Sequence, residues 1–447
     1  PPTNDGRSLP THDSRLPTAH RTGSSPQATD RFATGPIEQV ACRIVHAELR
    51  HAHALHKKEL EMPERPNILV LFGEQHRGDC LESAGHPVLQ TPNIDSIGGA
   101  GTRFRNAFTT CPVCVPARRS LISGQFPSTH GALRNCTTTW QPAHTLGSVL
   151  RDEGYQTGWI GRSMHQHPVR KRFGFEEVVL CDHRCEDDYD EFLSRNMPEG
   201  GAGYWGSGVM HNDWTAREFH LPEELHNTNW AIHEAQRFLD RRDPTRPFCM
   251  VASFIASHPP LVPPRFYMER YLRTGVEDPA IGQWAVPPEN RGTGSDVSSQ
   301  KVVLEGERLL SARAAYYGLI NHMDDQIRRL MNGILGGVNP RETVIVYAAD
   351  HGELLGDHYL WRKSLPYQGA CHIPMLIRTP QSLGLPSGQV SDRPVCLEDL
   401  MPTLLELADV TVPNSVEGRS LVPLLSGEED SEWRPHVHVE CSPTFHA

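Results

Sequence analysis

"RPNILVLF", residues 65–72, is a continuous apolar run behind a proline, and it runs straight into Gly73, Glu74 and Gln75. A strand with one wet face alternates polar and apolar residues. A run without alternation is covered on both faces, as in a parallel sheet wrapped by helices. The pattern returns in "TGWIG" (157–161), "PFCMVASF" (247–254), "TVIVYAAD" (343–350) and "PMLIRTP" (374–380), with helical stretches around 224–240 and 307–335 between them. Strands alternating with helices predict an α/β fold with a large, mostly parallel, doubly wound central sheet.

Ligands of such sheets bind beyond the carboxyl ends of the strands, so the polar residues after each run become the candidates. They are Glu74 and Gln75; Arg162, Met164 and His165; Ser257 and His258; and Asp350, His351 and Glu353. Singly, each has a plainer reading: Asp350 as a helix cap, His258 as a satisfied loop histidine, Glu74 as a solvated charge. Their common position at strand termini favours one shared site. Several carboxylate oxygens and one imidazole suit Ca²⁺, Mg²⁺ or Mn²⁺ better than Zn²⁺.

Composition bounds the partners. The 447-residue chain carries a formal net charge of −11, which argues against general nucleic-acid binding and requires any positive charge facing an anionic substrate to be concentrated locally. No apolar run approaches the ~20 residues of a membrane helix. No secretory signal pattern is visible, although the chain begins at Pro1, so the expected location is cytoplasmic. The 11 cysteines are odd in number and follow no framework spacing, so at least one thiol is free or modified. The sequon at Asn135-Cys136-Thr137 is read as chance. Residues 1–36 read as a disordered tail rich in Pro, Ser, Thr, Gly and Arg. Residues 38–61 read as one appended helix, with Val40, Ile44, Ala47 and Leu55 on a face and its histidines as polar surface.

"CPVCVPARRSLISG", residues 111–124, is the densest stretch. Pro116 suits the first turn of a helix and Gly124 its stop, which places Cys114 at or just before a helix N-terminus with Arg118 one turn on. Unpaired N–H groups there would stabilise a developing anion, a mount for a nucleophile facing an oxygen-bearing group. Cys111 and Cys114 also spell C-x-x-C. A thioredoxin-like redox pair belongs right after a first strand, and a zinc site wants a second pair at matching spacing, which Cys181 and Cys185 do not supply.

Cys114-Val115-Pro116-Ala117-Arg118, followed by "RSLISG", resembles the C-x-P-x-R…G signature of the type I sulfatases in the alkaline phosphatase superfamily. "RPNILVLFGEQHRGDCL", "TPNIDSIGGAGTRFRNAF", "SFIASHPPLVPPRFY", "ADHGELLGDHYLWRKSLPY" and "DLMPTLLELADV" resemble the same family in the same order. The resemblance runs from about Arg65 to near the C-terminus. It implies an alkaline-phosphatase-like α/β/α sandwich. The domains would be 1–62 (tail and helix), 63–385 (catalytic domain) and 386–447 (end of the core and a small C-terminal subdomain, here incomplete).

The family's chemistry, carried over residue by residue, makes Cys114 the precursor of formylglycine, produced by a formylglycine-generating enzyme, and Cys111 a bystander. One hydroxyl of the hydrated aldehyde attacks sulfur, the alcohol leaves, and the second hydroxyl expels sulfate; a thiol could not perform that last step. A divalent ion, calcium foremost with Mg²⁺ or Mn²⁺ as alternatives, would be held by Glu74, Gln75, Asp350, His351 and residue 114. Arg118 matches the arginine that steadies formylglycine, Lys363 the lysine on the sulfate oxygens, and His258 the histidine assisting the leaving group. "GRSMHQH" stands where the family has a "GKWH"-type segment, with Arg162 for the lysine and His165 or His167 for the histidine. The first metal ligand of the family is an aspartate, here Glu74. The expected activity is hydrolysis of sulfate monoesters of small molecules or carbohydrates. Alternatives are a phosphonate monoester or phosphodiester hydrolase, since Gln75 is the type of residue seen in that branch, or an inactive binding protein. No nucleic-acid or membrane partner is expected, and a homo-oligomer is left open.

Overall fold

The computed structural model describes residues 65–162, 167–182, 187–292, 299–334, 342–427 and 432–441. The tail and helix expected within 1–62, and His165, lie outside these residues.

β1 (Asn67–Gly73) shows how the layers arise. Successive side chains of a strand point to opposite faces. Ile68, Val70 and Phe72 enter one core while Leu69 and Leu71 enter the other, all fully buried. That is why the run lacks alternation. The other strands are β2 (Thr102–Phe104), β3 (Ala107–Phe108), β4 (Gln156–Arg162), β5 (Glu177–Cys181), β6 (Phe248–Ser253), β7 (Thr343–Ala349), β8 (Met375–Arg378), β9 (Gln389–Ser391) and β10 (Val395–Cys396). Eight of them form one sheet in the order β5-β4-β6-β1-β7-β8-β2-β9, and β10 pairs with β3 in a small second sheet. Only β8 runs against its neighbours β7 and β2; the remaining pairs are parallel.

The helices that matter for the site are α1 (Pro92–Gly99), α2 (Cys114–Ser123), α3 (Leu146–Asp152), α4 (Asn227–Arg241), α5 (Arg265–Thr274), α6 (Gly306–Ile334) and α7 (Leu400–Leu407). On one face of the sheet Ala117 and Leu121 of α2 meet Leu150 of α3 and Leu404 of α7. On the other, Ile94 of α1, Trp230 of α4, Tyr271 of α5 and Ile320 of α6 share the second core. The architecture is an α/β/α sandwich with a large, mostly parallel sheet, as expected. Within 386–441, β9 extends the edge of the main sheet and α7 joins the first core.

Candidate active site

The carboxyl ends of β1, β6 and β7 are stitched together by backbone bonds. Glu74 N–H donates to the Ala256 carbonyl (3.2 Å), Ser257 N–H to that of Glu74 (2.9 Å) and Asp350 N–H to that of Gly73 (3.3 Å). Gln75 turns the chain with φ of 65°, a left-handed conformation costly for a residue with a side chain and typical of sites where geometry is over-determined. The turn aims its N–H at Asp350 Oδ1 (2.9 Å), and its carbonyl accepts from the Tyr316 hydroxyl (2.7 Å). Gly352 tightens the next loop. Its N–H donates to the Ala370 carbonyl (2.8 Å), and a Cβ there would fall 2.0 Å from the Gly369 oxygen.

α2 begins at Cys114 and ends at Gly124, whose φ of 63° and N–H bond to the Ser120 carbonyl close the helix as expected. Every residue of α2 is buried. Two amides of its first turn already have partners, however: Val115 N–H donates to Asn135 Oδ1 (3.0 Å) and Ala117 N–H to the Val113 carbonyl (3.1 Å), while Pro116 has none to offer. The expectation of unpaired amides facing an anion is therefore not met at Val115, Pro116 and Ala117. The helix contributes its field at residue 114, and side chains add localised donors. Cys111 is a free buried thiol with its pKa pushed up by burial, and it joins no group of metal-spaced ligands among the described residues. Neither the redox nor the zinc reading of the C-x-x-C pair is supported by this geometry.

Charge around Cys114 is paired with care. Cys114 Sγ lies 3.3 Å from His351 Nε2, and His351 Nδ1 donates to the Gly352 carbonyl (2.9 Å). That bond fixes the tautomer, and burial lowers the imidazole's pKa, so Nε2 is left bare toward the cysteine. Asp350 accepts from its neighbours' amides through Oδ1 and from Arg118 Nε through Oδ2 (3.1 Å). Arg118 also donates to Ser253 Oγ (3.1 Å) and lies 3.9 Å from Glu74. Gln75 is held at both ends of its amide, by Glu353 and by the Lys363 ammonium.

Arg162 takes a different place from the one expected. It grips Glu74 with two nitrogens, at 2.6 and 3.2 Å, and reaches Asp182 Oδ1 at 2.7 Å and its carbonyl at 2.8 Å. Glu74 and Arg162 are both essentially inaccessible, and a buried carboxylate survives only when paired in this way. Arg162 does not line the cavity in front of Cys114; it positions Glu74.

That cavity has a volume of about 230 Å³ and is walled by Cys114, Asn135, His211, Asn212, His258, Gln300, Arg362, Lys363 and Ser364. His258 stacks on His211 with ring centroids 4.5 Å apart. Its Nδ1 donates to the Pro259 carbonyl, while burial and then the nearby Lys363 charge drive its pKa well below normal, so the imidazole is neutral with Nε2 bare. Of the two histidines left open in "GRSMHQH", His167 is exposed.

Two sets of buried donors have the spacing an ion needs. The ligand atoms of Cys114, Asp350 and His351 lie within 4.8 Å of one another, as do those of Glu74, Cys114 and His258. Ligands of one cation at ~2.0–2.6 Å cannot be more than about 5 Å apart, so each set fits an ion by itself and residue 114 is common to both, while Glu74 does not fall within one set with Asp350 and His351.

The structure therefore brings together Glu74, Gln75, Cys114, Arg118, His258, Asp350, His351 and Lys363. His211, Asn212 and Gln300 went unnoticed in sequence because they stand in loops with no pattern. Asn135 was seen only as a sequon. Asp182 follows β5, and the strand-end rule that found the other residues would have found it had β5 been recognised.

The sequence profile of the sulfatase family matches residues 66–410. The chain is 35% identical over 397 residues to an arylsulfatase of Clostridium perfringens, covering 85% of this chain and 82% of that one. It is 29% identical to the multifunctional alkaline phosphatase superfamily protein PehA of Trinickia caryophylli, with 84% and 80% covered. The structure superposes on the phosphonate monoester hydrolase of Agrobacterium radiobacter with a TM-score of 0.71 and 26% identity, covering 83% of this chain and 79% of that one. The chain belongs to the sulfatase family, in the alkaline phosphatase superfamily, and is a sulfuric ester hydrolase. The family implies a divalent metal and a formylglycine.

Proposed function

We propose that this protein hydrolyses sulfate monoesters at residue 114, matured from cysteine to formylglycine, with a divalent cation held by Glu74, Asp350, His351 and residue 114, and Ca²⁺ the foremost candidate. The observation that carries the reading is the position of Cys114. It opens the helix, touches His351, belongs to both sets of metal-spaced donors and forms the floor of a cavity that Lys363 and His258 also line. Matured to formylglycine, residue 114 would supply a geminal diol, one hydroxyl to displace the alcohol from sulfur and the other to release sulfate as the aldehyde re-forms. The cation, when bound, lowers the pKa of that diol and shares the charge of the sulfate oxygens.

The chain's own residues do the rest. Arg118 holds Asp350 in place, and Arg162 holds Glu74. Lys363 bonds the Gln75 amide oxygen in the free protein; swinging from it to a sulfate oxygen supplies a localised donor at the cavity floor and frees an oxygen suited to a hard cation. His258 lines the cavity with Cys114 and would assist the leaving oxygen once its bare Nε2 has gained a proton. The conformation of Gln75 keeps Asp350 and His351 in register, so the site is organised before substrate arrives.

Mass analysis of the tryptic peptide containing Cys114, with turnover of 4-nitrophenyl sulfate on the same preparation, tests this. Formylglycine at 114, thiol at Cys111 and turnover lost in Cys114→Ser support it; active protein with only unmodified Cys114 ends it. A second reading, phosphonate monoester or phosphodiester hydrolysis on the same nucleophile, draws on the amide at Gln75 and the likeness to a phosphonate monoester hydrolase. Relative kcat/KM on sulfate, phosphonate and phosphodiester model esters separates the two.

A further inference from the structure

Glu353 ends the run Asp350-His351-Gly352-Glu353 and takes no part in the chemistry at residue 114, yet its side chain is buried, 3% exposed. Its carboxylate is held by three donors, none of them charged. Oε1 accepts from Leu355 N–H (3.0 Å) and from Arg362 N–H, and Oε2 accepts from the Gln75 side-chain amide. Every one of these partners donates, so both oxygens serve as acceptors and neither has use for a proton. The other end of the Gln75 amide faces the Lys363 ammonium. An ammonium only donates, so the Gln75 atom turned to Lys363 is the oxygen and the atom turned to Glu353 the nitrogen. Carboxylate, amide and ammonium stand in a row, and both bonds of the row are charge-assisted.

The setting is fixed and dry. A Cβ at Gly352 would fall 2.0 Å from the Gly369 oxygen, which pins the backbone just before Glu353. Just after it, Arg77 Nη1 donates to the Glu353 and Leu354 carbonyls (3.3 and 3.2 Å) and pairs with Asp357 (2.9 Å). Glu353 also lines a small cavity with Trp214, Leu261, Tyr316 and Trp361, whose volume of about 10 Å³ has room for a single water. Two carboxylates in contact here would share that one water, and like charges so poorly solvated repel strongly.

We propose that Glu353 is a positioning residue for the ion site: it turns the Gln75 amide oxygen-first toward Lys363, and it requires an amide and not a carboxylate at position 75. This rests on the reading of Glu74, Asp350, His351 and residue 114 as a cation site, to which the Gln75 oxygen is offered once Lys363 moves to substrate. Glu353 then joins the two halves of the site, Gln75 through Oε2 and, through Arg362 N–H, the segment that carries Lys363. A mere cap on that segment would not need the charge. The oxygen of a glutamine would accept both loop amides equally well, and the two roles differ only at the atom that faces Gln75.

Exchanging the two side chains tests this. Gln75→Glu alone sets carboxylate against carboxylate. Glu353→Gln alone sets two NH₂ groups against each other, or turns the NH₂ of Gln75 onto Lys363. Both substitutions together restore a donor opposite every acceptor: the oxygen of residue 353 to the loop amides, its NH₂ to residue 75, and the second oxygen of residue 75 to Lys363. In EDTA-stripped protein each single variant should lower the urea midpoint, and the double variant should recover most of the summed loss. By calorimetry with CaCl₂, Glu353→Gln should weaken Ca²⁺ binding tenfold or more, and the double variant should bind at least as tightly as the native chain. A single variant too unstable to isolate is read through the double variant, which supports the pairing if it folds and overturns it if it does not. Midpoint losses that simply add, or a Glu353→Gln variant that binds Ca²⁺ within twofold of native while losing only stability, overturn the proposal. A native protein that binds none of Ca²⁺, Mg²⁺ and Mn²⁺ would overturn the cation reading instead, and the urea series would still decide whether Glu353 dictates the amide at position 75.

Discussion

Glu74 and Arg162 are a buried pair whose partners cannot be exchanged one at a time. Removing the guanidinium leaves a carboxylate in a dry site, and breaking such a pair costs about 3–5 kcal/mol; Arg162→Ala should lower unfolding free energy by that order in urea titrations. Arg162→Lys keeps the charge but not the fork that reaches both Glu74 oxygens and Asp182, so it should fold yet bind metal more weakly. Glu74→Ala should abolish turnover and sharply reduce metal affinity, whereas Glu74→Asp, one methylene shorter, should retain measurable activity because Ca²⁺ tolerates varied ligand geometry. An alanine variant that titrates with metal like the parent would take Glu74 out of the ligand set. His258 is a separate case. Its bare Nε2 must gain a proton before it can donate one, and positioned acids are worth 10²–10⁴-fold. His258→Ala should therefore slow alkyl sulfates far more than activated aryl sulfates; equal losses on both would reduce the residue to positioning.

At the scale of elements, α2 carries the nucleophile at one end and depends on glycine at the other. Gly124 has φ of 63°, a Cβ there would meet Val416 Cγ1 at 2.7 Å, and its carbonyl accepts the amides of Glu417 and Gly418. Gly124→Ala should cost about 1–2 kcal/mol from the left-handed backbone alone, visible as a lower urea midpoint. Per folded molecule, turnover should be kept, because Cys114 lies at the far end of the helix. The stop at Gly124 was legible because helix ends have local chemistry, and β1, β4, β6 and β7 were legible because strands buried on both faces read as unbroken apolar runs. The residues at their ends followed from topology alone. β2, β3, β9 and β10, two or three residues each, carry too little periodicity to register, and the reversed direction of β8 leaves no mark on its composition. Arg162 was found as a strand-end cation, but its choice of Glu74 and Asp182 over the cavity is made by burial that no local pattern encodes. His211 and Gln300 reach the cavity from loops, by tertiary placement alone.

Across the whole molecule, charge that folding buries must show up as pH dependence. His226 accepts the Thr228 amide at the start of α4 and packs against Phe219 and His322, and burial lowers its pKa from the usual 6.5 to about 3. His130, against Ser120 of α2, is lowered to about 4 by burial and then by Arg119. Both stay neutral in the fold and become charged near pH 6.5 once unfolded. The unfolded chain thus binds more protons, and stability present above pH 6.5 is lost as pH falls toward 4. Each group contributes about 1.4 kcal/mol per pH unit in that window, close to 2 kcal/mol apiece at pH 5, against totals of 5–15 kcal/mol for typical folds. Asp324 opposes them. It sits under the first amides of α1, and burial pushes its pKa up to about 7, so it favours the folded state increasingly as pH falls from 7 toward 3.8. His76, His258, His322, His351 and His372 are lowered by burial as well. Together the histidines outweigh Asp324 with Glu223 and Glu398, so unfolding free energy measured by urea titration should fall steadily from pH 7 to pH 5. His130→Gln should make that slope shallower by about one proton, and Asp324→Asn should make it steeper by about one. Slopes that neither substitution moves would place the pH dependence elsewhere in the molecule.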